Sequence, residues 1–139
     1  TQQLLSLDAC MECGRCEEAC PAFATAKPLS PKAVVQDLKG LMERTAAALG
    51  SGAKEIPPLH GGAIEAETLW SCTACSACVN VCPVRIDQVS LILSMRRHLV
   101  AEGGLSGTAA TALRRMQSNA NPWGLPAAER AAWRETVKN

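Results

Sequence analysis

At 139 residues the chain is sized for one modest domain, and a formal net charge of +1 gives no electrostatic footprint for nucleic acid. No run approaches the ~20 apolar residues that a membrane helix requires, so no membrane contact by this segment itself is expected. One Phe, three Trp and no Tyr leave few bulky fillers for a core, so something else must organise the interior, and eight cysteines are the candidates.

The opening TQQLLSLDAC reads as helix, without the charged n-region and apolar h-region of a signal peptide. The chain is therefore expected to be a segment of a longer protein, cytoplasmic or held on the cytoplasmic side of a membrane through its parent. Cys10, Cys13, Cys16 and Cys20, then Pro21, make the first cysteine run. Next, Ser30 and Pro31 supply an N-cap and a first-turn proline, and Val34, Val35, Leu38, Leu41 and Met42 an apolar stripe. With Gly50 as the stop, this predicts a helix from Pro31 to Leu49. Residues 50–62, GSGAKEIPPLHGG, read as a surface loop tolerant of change. A short helix over 63–71 leads into the second run, Cys72, Cys75, Cys78 and Cys82, then Pro83. Asp87 can cap a periodic helix carrying Val89, Ile92, Leu93, Met95, Leu99 and Val100, ended by Gly103 and Gly104. A further helix is predicted over 108–117. After the turn signal at Asn121, Pro122, Trp123 and Gly124, Pro126 opens a last helix from Ala127 to Val137. No segment alternates with the period of two that strands require. The expected fold is all-α.

Both runs read CxxCxxCxxxCP and use all eight cysteines. In that two-cluster spacing the fourth Cys of each run serves the other [4Fe-4S] cluster. Cluster 1 is therefore expected on Cys10, Cys13, Cys16 and Cys82, and cluster 2 on Cys72, Cys75, Cys78 and Cys20. Thiolates two residues apart can wrap a cubane corner only if the backbone curls tightly, which the small residues Gly14, Ala74, Ser76 and Ala77 permit. The third and fourth cysteines, four apart on a helix starting at Cys16 or Cys78, would share a face yet diverge enough to address different clusters. Pro21 and Pro83 would then stop each helix. Residues 1–104 are expected to form the two-cluster domain, and 105–139 a helical extension that packs on it or links to a following domain.

Other uses of cysteine fit less well. A structural zinc-binding interaction module is the alternative, but zinc closes with four ligands, and overlapping triplets are an odd way to build two such sites. Disulfides between CxxC neighbours are poorly placed for unstrained geometry, and a thioredoxin-like CxxC needs a βαβ pattern that is absent. An iron-sulfur sensor would typically bring a DNA-binding helix-turn-helix or basic face, and neither is evident.

The two motifs, the helix between them and the helix after Pro83 resemble the α-helical two-cluster ferredoxin domain of heterodisulfide reductase subunits and related iron-sulfur oxidoreductases, with relatives in succinate dehydrogenase and anaerobic glycerol-3-phosphate dehydrogenase. The compact β-rich ferredoxins differ, because their motifs lie much closer together than the 51 residues between Cys20 and Cys72 here. More specifically, LDACMECGRCEEACPA, KPLSP and NPWGLPAAERAAW look like the ferredoxin segment of large membrane-associated proteins. The resemblance implies electron transfer from a flavoprotein dehydrogenase or electron-transfer flavoprotein to a cysteine-rich heterodisulfide-reductase-type domain or a quinone-linked acceptor. Chemistry on substrate would then take place elsewhere in the parent.

Around the motifs, Arg15 and Arg85 could raise a cluster's potential or simply be solvated, and Glu12, Glu17 and Glu18 would act oppositely if close. His60 and His98 are not needed as ligands. Trp70 is expected to pack on the second motif loop, and Trp123 and Trp133 to anchor the C-terminal helices. Lys27 and Lys32, beside KPLSP, read as solvated lysines of a capping region or as docking groups. With so few aromatics, folding is expected to depend on the clusters.

Overall fold

The computed structural model describes residues 2–52 and 62–137. His60 and residues 53–61 of the expected surface loop lie outside the described residues. Those described form helices joined by turns, with no strand beyond an isolated bridge residue at Ile64. They fall into two compact units, Thr1–Leu99 and Val100–Asn139.

In the first unit, α1 (Gln2–Asp8) precedes the first motif, whose two short helices are α2 (Arg15–Glu18) and α3 (Pro21–Ala24). Helix α4 (Pro31–Gly50) follows, then α5 (Ala66–Trp70), the motif helix α6 (Ala77–Asn80), and α7 (Gln88–Ala101). Helix α4 starts where the sequence predicts. The Ser30 hydroxyl oxygen accepts from the Ala33 N–H at 2.9 Å, satisfying one of the amides that a helix start leaves open, and Pro31 occupies the first turn. Its stripe Val34, Val35, Leu38 and Leu41 is buried. Helix α7 buries Val89, Leu91, Ile92, Met95 and Leu99.

The core joins α4 and α7 with Leu7 of α1, Leu29, Ile64, Leu69 of α5 and Ile86, and takes in Cys20 as well. Each fully buried Leu, Ile or Val contributes about 1.5–3 kcal/mol of transfer free energy. Aliphatic side chains from the helices and the turns between them therefore do the work that aromatics do elsewhere. Helix α2 packs on α6, on α4 and on α3, so the two motifs meet.

The second unit holds α8 (Gly107–Asn119), a 3₁₀ segment (Ala127–Ala131) and α9 (Trp133–Thr136). The last predicted helix, 127–137, is thus broken at Ala132. Trp123 and Trp133 are 72% and 62% exposed, so neither is the buried anchor expected of it. What orders this region is Asn121, whose side-chain oxygen accepts from the Leu125 N–H and whose NH₂ donates to the Leu125 carbonyl.

Candidate iron-sulfur centres

The same backbone device recurs in both motifs. The second residue after the first Cys and the fourth after it have positive φ: Glu12 (56°) and Gly14 (82°) in the first run, Ala74 (53°) and Ser76 (61°) in the second. Gly14 and Ser76 are the left-handed N-caps of α2 and α6. These reversals produce the tight curl that the spacing demands, and three of them fall on the predicted small residues Gly14, Ala74 and Ser76; Glu12, Ala74 and Ser76 carry a strain that glycine would avoid.

Neither motif helix reaches its fourth cysteine. Helix α2 ends at a cap on Ala19 and α6 at one on Val81. The third and fourth cysteines therefore share no helix, contrary to the sequence expectation. Cys20 is extended (φ −84°, ψ 117°) and is the N-cap of α3, with Pro21 at its first position. Pro21 thus opens a helix as well as preventing the previous one from continuing. Through this break the buried Cys20 leaves its own motif.

Two cavities result. The first, a narrow space of about 20 Å³, is lined by Cys10, Cys13, Cys16 and Cys82. The second, of about 10 Å³, is lined by Cys20, Cys72, Cys75 and Cys78. Each cavity takes three cysteines from one motif and the last from the other. Backbone amides reach the sulfurs: the Ile86 N–H donates to Cys82 Sγ at 3.3 Å and the Ala74 N–H to Cys72 Sγ at 3.4 Å. Such donors stabilise negative charge on a thiolate-bound cluster.

Electrostatics ties the centres together. Burial pushes the Cys78 thiol up to about 11, opposed by a backbone hydrogen bond, with Cys72, Cys20 and Cys16 adding to the rise. Cys78 therefore feels thiols of its own cavity and one of the other. Burial also raises Cys16, whereas the Ala77 N–H and the Thr73 side chain lower the exposed Cys75. Among the described residues, no three His, Cys, Asp or Glu side chains converge as a single metal ion would require; the thiols stand around walls instead.

The cavities differ in their other walls. Glu12, Arg15, Lys32 and Gln88 contribute polar groups to the first, with Val35 and Ile86. Apart from Thr73 and Ser76, the second is walled by Leu29, Pro31, Val89 and Ile92. Arg15 thus lies beside the first centre, while Arg85, Glu18 and Lys27 are exposed. Lys32 is neither free nor merely a cap residue. Its Nζ pairs with Glu17 at 2.7 Å, and the Ser30 hydroxyl donates to the other Glu17 oxygen at 2.6 Å. These two contacts pull the Glu17 carboxyl below the usual range and fasten α2 to the start of α4.

Two contributors were invisible in the sequence. Gln88 is one, a buried amide on a helix read for its apolar stripe. Arg96 is the other: its guanidinium donates to the carbonyls of Leu69 and Cys72 and stands 5.1 Å from the centre of the Trp70 ring. Trp70 is therefore capped by Arg96 and 41% exposed. The only sequence signal was its place four residues after Ile92 and one after Met95, at the edge of the buried stripe.

A family description, 4Fe-4S dicluster domain, matches residues 6–86, which include all eight cysteines. The chain belongs to this 4Fe-4S dicluster family. It is an electron-transfer module with two [4Fe-4S] clusters. This dicluster domain is 40% identical over 148 residues to a probable membrane-anchored ferredoxin of Chromohalobacter salexigens, covering 94% of this chain and 22% of that protein. It is 38% identical over 155 residues to an EtfAB:quinone oxidoreductase of Syntrophomonas wolfei, covering 95% of the chain and 22% of the relative. It is also 30% identical to one component of a dihydromethanophenazine:CoB–CoM heterodisulfide reductase of Methanosarcina barkeri, over 94% of the chain and 33% of that component. The dicluster chain thus spans about a fifth of the length of the first two relatives. No solved structure matches it. No helix among the described residues is long and apolar enough to cross a membrane.

Proposed function

We propose that the chain carries electrons inside a larger iron-sulfur oxidoreductase, between a flavoprotein donor such as electron-transfer flavoprotein and a heterodisulfide-reductase-type or quinone-linked acceptor. The ligands are Cys10, Cys13, Cys16 and Cys82 for one cluster and Cys72, Cys75, Cys78 and Cys20 for the other. The observation that carries this reading is the composition of the two cavities, each with three cysteines of one motif and the fourth of its partner. When bound, each cluster supplies a one-electron store. The protein holds the two stores adjacent through Cys20 and Cys82, donates N–H groups to sulfur, and leaves Cys13 and Cys75 exposed where electrons can enter or leave. Residues 1–104 are the cluster module and 105–139 an extension toward the rest of the parent; the unit ending at Leu99 supports that division. The parent is attached to a membrane, a reading in line with the name of the Chromohalobacter relative, and this segment lies on the cytoplasmic side.

Metal and sulfide analysis tests the centres: about eight iron and eight acid-labile sulfide per chain are expected, and zinc alone would sink the reading. Cys20→Ser and Cys82→Ser should each perturb the cluster of the opposite motif. Loss confined to the variant's own motif would refute the crosswise ligation. Rapid reduction of the loaded chain by reduced electron-transfer flavoprotein is expected; a rate no faster than with an unrelated flavoprotein would remove that donor.

A further inference from the structure

The two centres are built alike from cysteine but not from anything else. In the first cavity one polar side chain stands apart from the charged ones, because it is almost wholly removed from water. Gln88 is 2% exposed, it lines this cavity, and its amide oxygen has no hydrogen-bond partner. Buried carboxamides are normally satisfied, so an orphaned one calls for an explanation. A carboxamide has a donor end and an acceptor end of nearly the same shape, interchanged by rotation about its last bond. Since no protein donor holds the oxygen end, the contents of the cavity decide which end faces it. Cluster sulfides and cysteine thiolates only accept hydrogen bonds.

We propose that the Gln88 side-chain NH₂ donates a hydrogen bond to the cluster held in the first cavity, and that this bond sets the potential of that cluster above that of its neighbour. The inference rests on the two cavities holding the two clusters. Reduction adds one negative charge, and a donor aimed at sulfur stabilises the reduced form more than the oxidised one. The second cavity has no buried amide; its polar side chains are the hydroxyls of Thr73 and Ser76, of which Thr73 bonds the exposed Cys75. There the next residue of α7, Val89, takes the corresponding place, with Ile92 and Leu29 beside it. The other polar groups of the first cavity partly offset one another: Glu12 opposes Arg15, and Lys32 is paired with Glu17. The buried amide is left as the one polar side chain of either cavity that is withdrawn from water, against the Thr73 hydroxyl spent on the exposed Cys75 in the second. Electrons entering the chain would come to rest on the cluster of Cys10, Cys13, Cys16 and Cys82.

Gln88→Met keeps the length and removes the N–H. In the full chain loaded with both clusters, EPR-monitored redox titration should show one transition lowered, with the other unmoved. The expected change is about a tenfold loss in the equilibrium constant for reduction, which for one electron is about 59 mV. Gln88→Glu should lower the same transition further by adding negative charge. Two intact clusters with neither potential moved, or both moved equally, overturn the role of Gln88 while leaving the electron-transfer function standing. A wild-type chain that takes up no iron overturns the function instead. Should the variants fail to assemble, wild-type protein labelled with ¹⁵N in the glutamine side chains gives the answer: pulsed EPR of the reduced clusters is expected to show a side-chain ¹⁵N coupled to one of them, and its absence overturns the proposal.

Discussion

Helix α5 is five residues long and leaves carbonyls open at its C-terminal end, beside the point where the second motif begins. A single guanidinium from α7 closes that gap. Arg96 donates to both the Leu69 and Cys72 carbonyls while covering Trp70, and Leu69 itself is fully buried. Replacing Arg96 by alanine leaves the Cys72 carbonyl without its donor and the Leu69 carbonyl with only the Cys72 N–H, for an expected loss of about 1–3 kcal/mol. Lysine, lacking the planar fork, should recover only part of it. Denaturant midpoints of the loaded variants measure both. Equal stability of wild type and Arg96→Ala would mean that water replaces the guanidinium without loss. Nothing in the sequence marks Arg96, because the contact spans 27 residues and its value lies in where α5 ends.

The long helices were legible in the chain because they are long. Over the 20 residues of α4 and the 14 of α7, burial on one face forces a 3.6-residue period, and caps at Ser30 and Asp87 mark the starts. The four-residue helices α2, α3 and α6 are too short to show a period, and backbone reversals at Glu12, Gly14, Ala74 and Ser76 decide where they lie. That is why the break before Cys20 was missed. At the start of α7 the Asp87 carboxylate accepts from the Ser90 N–H at 2.9 Å and from the Ser90 hydroxyl. Asp87→Ala should destabilise the loaded protein by about 1 kcal/mol. The same hydrogen bonds from Ser90 lower the Asp87 pKa in the folded chain. Its contribution is therefore present above the carboxyl pKa of the unfolded chain and is lost as pH falls through the lower, folded value. The protection factor of the Ser90 amide, referred to the intrinsic exchange rate at each pH, should fall on acidification in the wild type and be already low, and insensitive to that step, in Asp87→Ala.

For the molecule as a whole, the crosswise distribution of cysteines could be read from spacing, since CxxCxxCxxxCP repeats without remainder. The chemistry of the other walls could not, because it depends on which face of α4 and α7 each cavity abuts. Eight thiols around two small cavities, with little aromatic packing, are expected to make the fold depend on what fills them. Removing the clusters is expected to abolish hydrogen-exchange protection around residues 8–22 and 70–84 while α4 retains more of its own. Native-like protection of both motif loops in the cluster-free chain would show that the aliphatic core suffices alone.

Neighbouring residues on the two long helices serve different cavities. Pro31 lines the second and Lys32 the first; Gln88 lines the first and Val89 the second. The first turns of α4 and α7 therefore contribute to the walls of both cavities. One residue inserted near the start of α7 would turn everything before it by about 100° relative to the rest of the helix, spoiling both chambers at once.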